Sequence, residues 1–349
     1  MSSPEPFCIE VPSVSPPGVA DEALPLIETG AVNVAASMPC PLKVRFKMEF
    51  AEFGAAQAAA GTPVHCPQAL EGQAAPLADH LHAARGEDEL PDVLVNPPLS
   101  LVFSQALRPR LFAAGGVYLG ITRPADLAAL PAAFQAAAHD HNLGFLAFGS
   151  WQVLWDRTLG DERALPKTWT DLADPAQAGR LAVHGCHGTI GANALLLVLR
   201  DRLGPEGVTR FAGNVVRLAH FAQLIKQLGA GPERAPLNVM PDAASLQMPT
   251  RKDAAIIEFR DGPLLTPMTL FVKRSRLEAC RAVLDFFWGE AFGAVLTRGG
   301  YRTPQAMDWR QPYTWPSWET LAGHDYEALA AEVEAAFQAG LRRGAEAAA

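Results

Sequence analysis

The chain has 349 residues, 49% of them hydrophobic and 19% charged, and a formal net charge of -8. That length exceeds a usual single domain and predicts two lobes, and the composition supplies a core and excludes global disorder. An acidic balance with no Lys/Arg block excludes a nucleic-acid footprint and an anionic-membrane surface.

The first 30 residues, rich in proline and acid and free of Lys and Arg, read as an extended arm over 1–30 rather than an export signal. On that reading the chain is cytoplasmic as it stands, and periplasmic if a native leader precedes it. No stretch approaches the roughly 18 uncharged apolar residues of a membrane span. Five scattered cysteines, Cys8, Cys40, Cys66, Cys186 and Cys280, fit reduced thiols better than a disulfide framework.

From residue 31 the pattern alternates strand and helix. "AVNVAASM" predicts a strand ending in "PCP", and "PLKVRFKMEFAEFGAAQAAAG" a helix closed by Gly61. "TPVHCPQAL" predicts a strand, "PLADHLHAARGEDEL" a helix, "PDVLVNPP" a short strand, and "PADLAALPAAFQAAAHDHN" one helical stretch. Such a rhythm implies a parallel sheet covered by helices.

A second series starts near residue 143. "LGFLAFGSWQVLW" predicts a strand with a turn, and "LPKTWTDLADPAQAGRLAVHG" carries a Thr-x-x-Asp capping pattern at 168–171 before a strand "RLAVHG". A helix follows Gly191, then an irregular "RLGPEGVTRFAGNVV", an amphipathic "HFAQLIKQLGAG", and strands in "APLNVMP" and "DAAIIEF". "GPLLTPMTLFVKRS" reads as a strand pair or one long bent strand, "RLEACRAVLDFFWGEAFGAVLTRGGY" as one strong helix, and the Ala-rich tail as helix. The aromatic stretch "DWRQPYTWPSWETL" is read as packing back on the core rather than as a binding surface.

Two blocks carry a resemblance. "LPKTWTDLADPAQAGRLAV" (165–183) resembles a Pro-x-Thr-Trp-x-Asp-Leu segment of ABC-importer solute-binding proteins. "DGPLLTPMTLFVKRSRLEACRAVLDFFWGEAFGAVLTRGGYRTP" (261–304) is similar to that family's return strand, long helix and closing Gly-Tyr-x-x-Pro. The resemblance implies an α/β, two-lobe, type II periplasmic-binding-protein-like fold with hinge strands, in the subgroup that includes ferric-iron-binding proteins. The division expected is a first lobe of 31–142 plus 260–349 and a second of 143–259. A small anion, metal chelate or organic solute would bind between the lobes of a monomer, with an ABC permease as partner and no cofactor. A cytosolic sensor or carrier reusing the fold, or a cysteine-dependent enzyme, are the alternatives.

In open α/β sheets ligands sit beyond the carboxyl ends of strands. The junctions "SMPCP" and "HGCHGTIG" therefore place Ser37, Met38 and Cys40 on one wall and His187, Gly188 and Thr189 on the other. Asn96 closes "PDVLVN", Met240 and Asp242 hold the turn after "APLNVMP", and Ser150, Trp151, Glu258 and Asp261 lie on the crossing segments. Cys40, His184, Cys186 and His187 are the candidate soft-metal ligands, although the spacing of the last three matches no zinc pattern and a buried thiol or hydrogen-bonded imidazole is the commoner role for such residues at a strand end. The turn around "NVMPDAASLQM" has no tyrosine, which argues against a ferric site of phenolate type there. A Cys186–His187 dyad is disfavoured because neighbours on a strand point to opposite faces.

Overall fold

A computed structural model describes residues 25–67, 74–159, 162, 165–185, 188–190, 193–232, 234–247 and 253–348. Cys8, Cys186, His187 and Gly191 lie outside the described residues, as does the arm up to residue 24.

The chain runs β1 (Val32–Ala36), α1 (Cys40–Ala59), β2 (Val64–His65), α2 (Ala74–Ala83), β3 (Val93–Val95), α3 (Leu99–Val102), α4 (Arg108–Leu111), β4 (Tyr118–Gly120), α5 (Pro124–Ala129) and α6 (Ala132–Asp140). It continues through β5 (Phe145–Asp156), β6 (Leu181–His184), α7 (Ala194–Gly213), β7 (Val215–Ala219), α8 (Phe221–Gln227), β8 (Leu237–Pro241), β9 (Ala254–Ile256) and β10 (Leu264–Lys273). Helices α9 (Arg281–Trp288), α10 (Glu290–Arg298), α11 (Trp318–Gly323) and α12 (Tyr326–Ala348) complete it.

One sheet joins the strands in the order β2-β1-β3-β10-β5-β8-β6-β7, with β4 also on β10 and β9 on β5. The β2-β1-β3 and β8-β6-β7 groups are each parallel. The long strands β10 and β5 run antiparallel between them. Trp151 marks the crossing: it pairs with Leu264 of β10 on one side and Pro241 of β8 on the other. The mixed α/β, hinge-strand architecture thus follows the expectation.

Alternation along the strands sorts the core by face. Ala35, Leu94, Val153, Leu181 and Val183 belong to one cluster that runs through both halves and takes in Trp169, Phe211 and Phe337. Their neighbours Val34, Ala36, Val93 and Val95 join α1, α9 and α10 in a second cluster, while Leu154, Ala182 and Met240 join α8 in a third. The core is therefore continuous on one face and divided on the other.

Several local expectations change. Gly149 and Ser150 do not turn the chain; β5 is a single twelve-residue strand. Pro131 splits the 124–142 stretch into α5 and α6, and Gly289 separates α9 from α10. The irregular segment after residue 202 is instead the second half of α7, kinked at Gly204–Pro205 because proline has no N–H to continue the ladder. The bent-strand reading of β10 holds, with a register shift between Met268 and Thr269. Rings of Trp309, Tyr313, Trp315 and Trp318 all pack about Phe134, as expected for a segment that wraps onto the core. At 168–171 the capping pattern is reciprocal: the Asp171 N–H donates to Thr168 Oγ1, and the Thr168 N–H donates to Asp171 Oδ2.

Candidate functional site

The carboxyl ends of the two parallel groups meet the crossing strands from opposite sides. In the first group, the Ser37 N–H donates to the Val95 carbonyl (2.9 Å), Asn96 Nδ2 to the Ser37 carbonyl (2.9 Å), and the Asn96 N–H to the Thr269 carbonyl (2.6 Å). Asn96 holds φ +53, a left-handed conformation that asparagine tolerates better than most residues. Through its side chain and its backbone N–H together, Asn96 ties the ends of β1, β3 and β10 into one edge. Cys40, exposed, opens α1 just beyond it.

Across the crossing, the Ser150 hydroxyl donates to Asp242 Oδ2 at 2.7 Å, and the Ser150 N–H lies 3.4 Å from Oδ1. Burial pushes the Asp242 carboxyl up, against the Ser150 hydrogen bonds and the positive charge of Arg302. Tyr301 joins the two edges: burial raises its phenol strongly, and Asp242 and Cys40 both lie close enough to raise it further. Its neighbour Arg302 makes a two-way backbone bridge with Phe148. The ring rests on Gly149, where an added Cβ would stand 2.7 Å from the ring edge, so only glycine lets β5 pass beneath it.

Next along the second edge come Trp151, His184 and His220. The Trp151 and His184 rings are 6.0 Å apart, and His184 and His220 meet edge to face at 5.3 Å. Burial first, and His220 second, push the His184 imidazole down to about 4, with the Ala219 carbonyl opposing. Burial also lowers His220. Both rings are therefore neutral at pH 7.

Other expected positions go elsewhere. Met240 is wholly buried in the core beneath α8 and offers no free surface to a solute, and Met38 is only 7% exposed. Met38 instead lines a cavity of about 260 Å³ under α1, beside Phe46, Phe50 and Cys66 and outside the crossing. The Thr189 hydroxyl donates to Glu334 at 2.6 Å and the Gly188 carbonyl accepts from Gln338 at 2.8 Å, which ties that loop to α12. Asp261 is bound to Arg202 at 2.5 Å and faces the Trp169 N–H, a staple on the loop before β10, and Glu258 is exposed. Among the described residues no group of three His, Cys, Asp or Glu side chains is placed to hold a metal. The half-buried Cys66 thiol and the buried Cys280 thiol are each pushed up to about 12 by desolvation.

Sequence reasoning missed Tyr301 and His220. His220 follows a strand and caps a helix, the same junction signal used for "SMPCP", but Arg217 inside "VVRLAH" hides the strand. Tyr301 lies 152 residues along the chain from the glycine it covers, and no local pattern reports that contact.

A family model described as bacterial extracellular solute-binding protein matches residues 88–324. No curated protein matches the chain at the sequence level. Among solved structures it is similar to a Trichodesmium protein in complex with iron and citrate (TM-score 0.61, 13% identity, 89% of this chain and 99% of that one). It is similar also to iron-bound HitA from Pseudomonas aeruginosa (0.56, 17%, 89% and 98%) and to a periplasmic thiamin binding protein (0.57, 15%, 87% and 95%). At these identities the likeness carries the fold.

Proposed function

We propose, for a chain that belongs to the bacterial extracellular solute-binding proteins, that a small solute is captured where β5 crosses between the two parallel strand groups and is delivered to an ABC permease. The observation that carries this reading is the convergence on one crossing of Asn96 and Cys40 from the first edge, Ser150 and Asp242 from the second, and Tyr301 between them. Closure would bend β5 and β10 and shift an open–closed equilibrium by contacts made only when the edges approach.

The lobes we propose are 31–142 with the return through β10, and 143–259. The packing of α12 along α7, with Arg200–Glu332 at 3.1 Å, favours carrying the C-terminal helix with the second lobe. Cys40, His184 and Ser37 remain candidate contacts in this reading, whereas Gly188 and Thr189 are engaged by α12. A permease partner outside the cytoplasm follows from the family, which is extracellular, and among the described residues no helix is long and apolar enough to cross a membrane. Catalysis is not part of the reading: the family and the similar structures are binding proteins, and burial keeps Cys66 and Cys280 protonated.

Small-angle scattering during titration with fractions of a bacterial culture-medium extract tests the hinge. One fraction should lower the radius of gyration, and Asp242→Asn should abolish the change. Compaction by no fraction, or equal compaction in the variant, would remove the crossing as the site.

A further inference from the structure

The cavity of about 260 Å³ beneath α1 lies outside the crossing, in the half of the sheet built from β1, β2 and β3. Phe46 and Phe50 from α1 and Val64 from β2 give it apolar walls, and Lys43 and Lys47 bring two ammonium groups to the same lining. Residues four apart on a helix lie one above the other, so the two lysines stand as a pair beside the phenylalanines. Like charges at that spacing weaken a helix rather than support it. Among the described residues, no hydrogen bond or ion pair holds the Lys43 ammonium.

The walls are set from behind. The Phe46 and Phe50 ring centroids are 5.2 Å apart, and Phe287 of α9 backs both, at 6.1 and 6.0 Å. Swinging either ring into the cavity would open a gap in that cluster. Gly54, four residues after Phe50, also belongs to the lining. Glycine is a poorer helix former than every residue but proline, and Gly54 lies inside α1 without the positive φ that would call for it. No neighbour presses on it either: the nearest atom to an added Cβ is the Val64 carbonyl oxygen, at 4.0 Å. What the missing side chain leaves is room within the cavity. The Cys66 thiol completes the polar lining and stays protonated, so the only charges there are positive.

We infer that this cavity is a second binding site, separate from the crossing, for a small amphipathic carboxylate whose apolar body lies against Phe46, Phe50 and Val64 and whose head lies between the Lys43 and Lys47 ammonium groups. At about 30 Å³ per non-hydrogen atom, the share a water molecule takes in the liquid, the cavity volume of about 260 Å³ holds roughly nine such atoms. That is close to the size of octanoate. The lining includes no arginine and none of Cys40, Pro41 and Leu42 at the start of α1, so it lacks the guanidinium fork and the helix-terminal N–H groups that favour phosphate. A ligand of that size binds with a dissociation constant of about 0.1 to 1 mM, which suits an abundant carboxylate and not a trace one.

Isothermal titration calorimetry of the full chain with sodium octanoate, octan-1-ol and octylammonium chloride tests the site. Octanoate should bind once per chain, and the alcohol and the amine, which share its apolar body, should bind about tenfold more weakly or not at all. Lys43→Ala combined with Lys47→Ala should weaken octanoate about tenfold. Gly54→Leu fills the space and improves the helix, so it should abolish octanoate binding while the thermal midpoint holds or rises. No octanoate binding to the wild type, equal binding of octan-1-ol, or binding that survives Gly54→Leu or the double lysine substitution would overturn the inference. A lower midpoint in Gly54→Leu would also overturn it, by showing that the space above Gly54 is not open. Asp242→Asn should leave octanoate affinity unchanged; a loss there would place the carboxylate at the crossing and overturn the second site. Solute capture at the crossing, read by scattering, should be unaltered in Gly54→Leu, so failure of one site leaves the other standing.

Discussion

Asp242 and His184 illustrate how single side chains in this protein are set by what they face. Asp242 is held by the Ser150 hydroxyl on the neighbouring strand, so Ser150→Ala should leave a half-buried carboxylate short of a donor. We expect about 1–3 kcal/mol of lost stability in urea unfolding, together with weaker solute capture; an unchanged midpoint would show that water replaces the hydroxyl at no cost. His184 titrates at about 4 in the folded chain against an ordinary 6.5. The folded pKa is the lower one, so between those values the unfolded chain takes up a proton that the folded chain refuses. Stability should therefore fall as pH drops from 6.5 to about 4 and change no further on this account below that. Thermal midpoints measured across that range should show a shallower fall in His184→Gln than in the wild type, and parallel curves would contradict the assignment.

At the scale of elements, the hinge strands are fixed by groups at their ends rather than by the crossing itself. Lys273, closing β10, meets Asp92 at 3.2 Å with both side chains 6% exposed, and Asp92 also accepts the Asn33 N–H at 2.9 Å. Lys273→Ala would strand a buried carboxylate, with only Arg276 at 3.4 Å to compensate, and should cost about 3 kcal/mol; a loss below about 1 would mean that Arg276 takes over. Gly144, just before β5, has Ile121 N and Leu270 O about 2 Å from where a Cβ would stand, so Gly144→Ala should destabilise by about 3 kcal/mol or more and broaden the folded-state spectrum. Much of this layer was legible in the sequence. The strand–helix rhythm, the Thr168–Asp171 cap and the aromatic wrap after residue 308 follow from periodicity and local chemistry. The turn expected within 143–155 does not form because glycine in a strand signals either a bend or a close approach, and at Gly149 only the distant Tyr301 ring decides between them. The break at Gly289 was hidden for a related reason: the apolar period of α9 resumes in α10, so the pattern spans two helices that the backbone separates.

Across the whole molecule, the core is continuous on one face of the sheet and divided on the other, and the division falls where Ser150, Asp242 and Tyr301 gather. A continuous core on one side gives a hinge something to bend about, while a divided core on the other lets the halves approach without breaking packed side chains. The two candidate walls chosen from sequence met different fates for a topological reason. Ser37 and Asn96 end adjacent strands and stay at the crossing, whereas Gly188 and Thr189 are drawn to α12, a helix whose place on α7 no local pattern announces. The most direct test of solute capture at the crossing is native mass spectrometry of the full chain after incubation with a small-molecule extract of bacterial culture medium, compared with Asp242→Asn under the same conditions. The account predicts one bound small-molecule mass, lost in the variant. No bound mass, or a mass that Asp242→Asn retains in full, would contradict it.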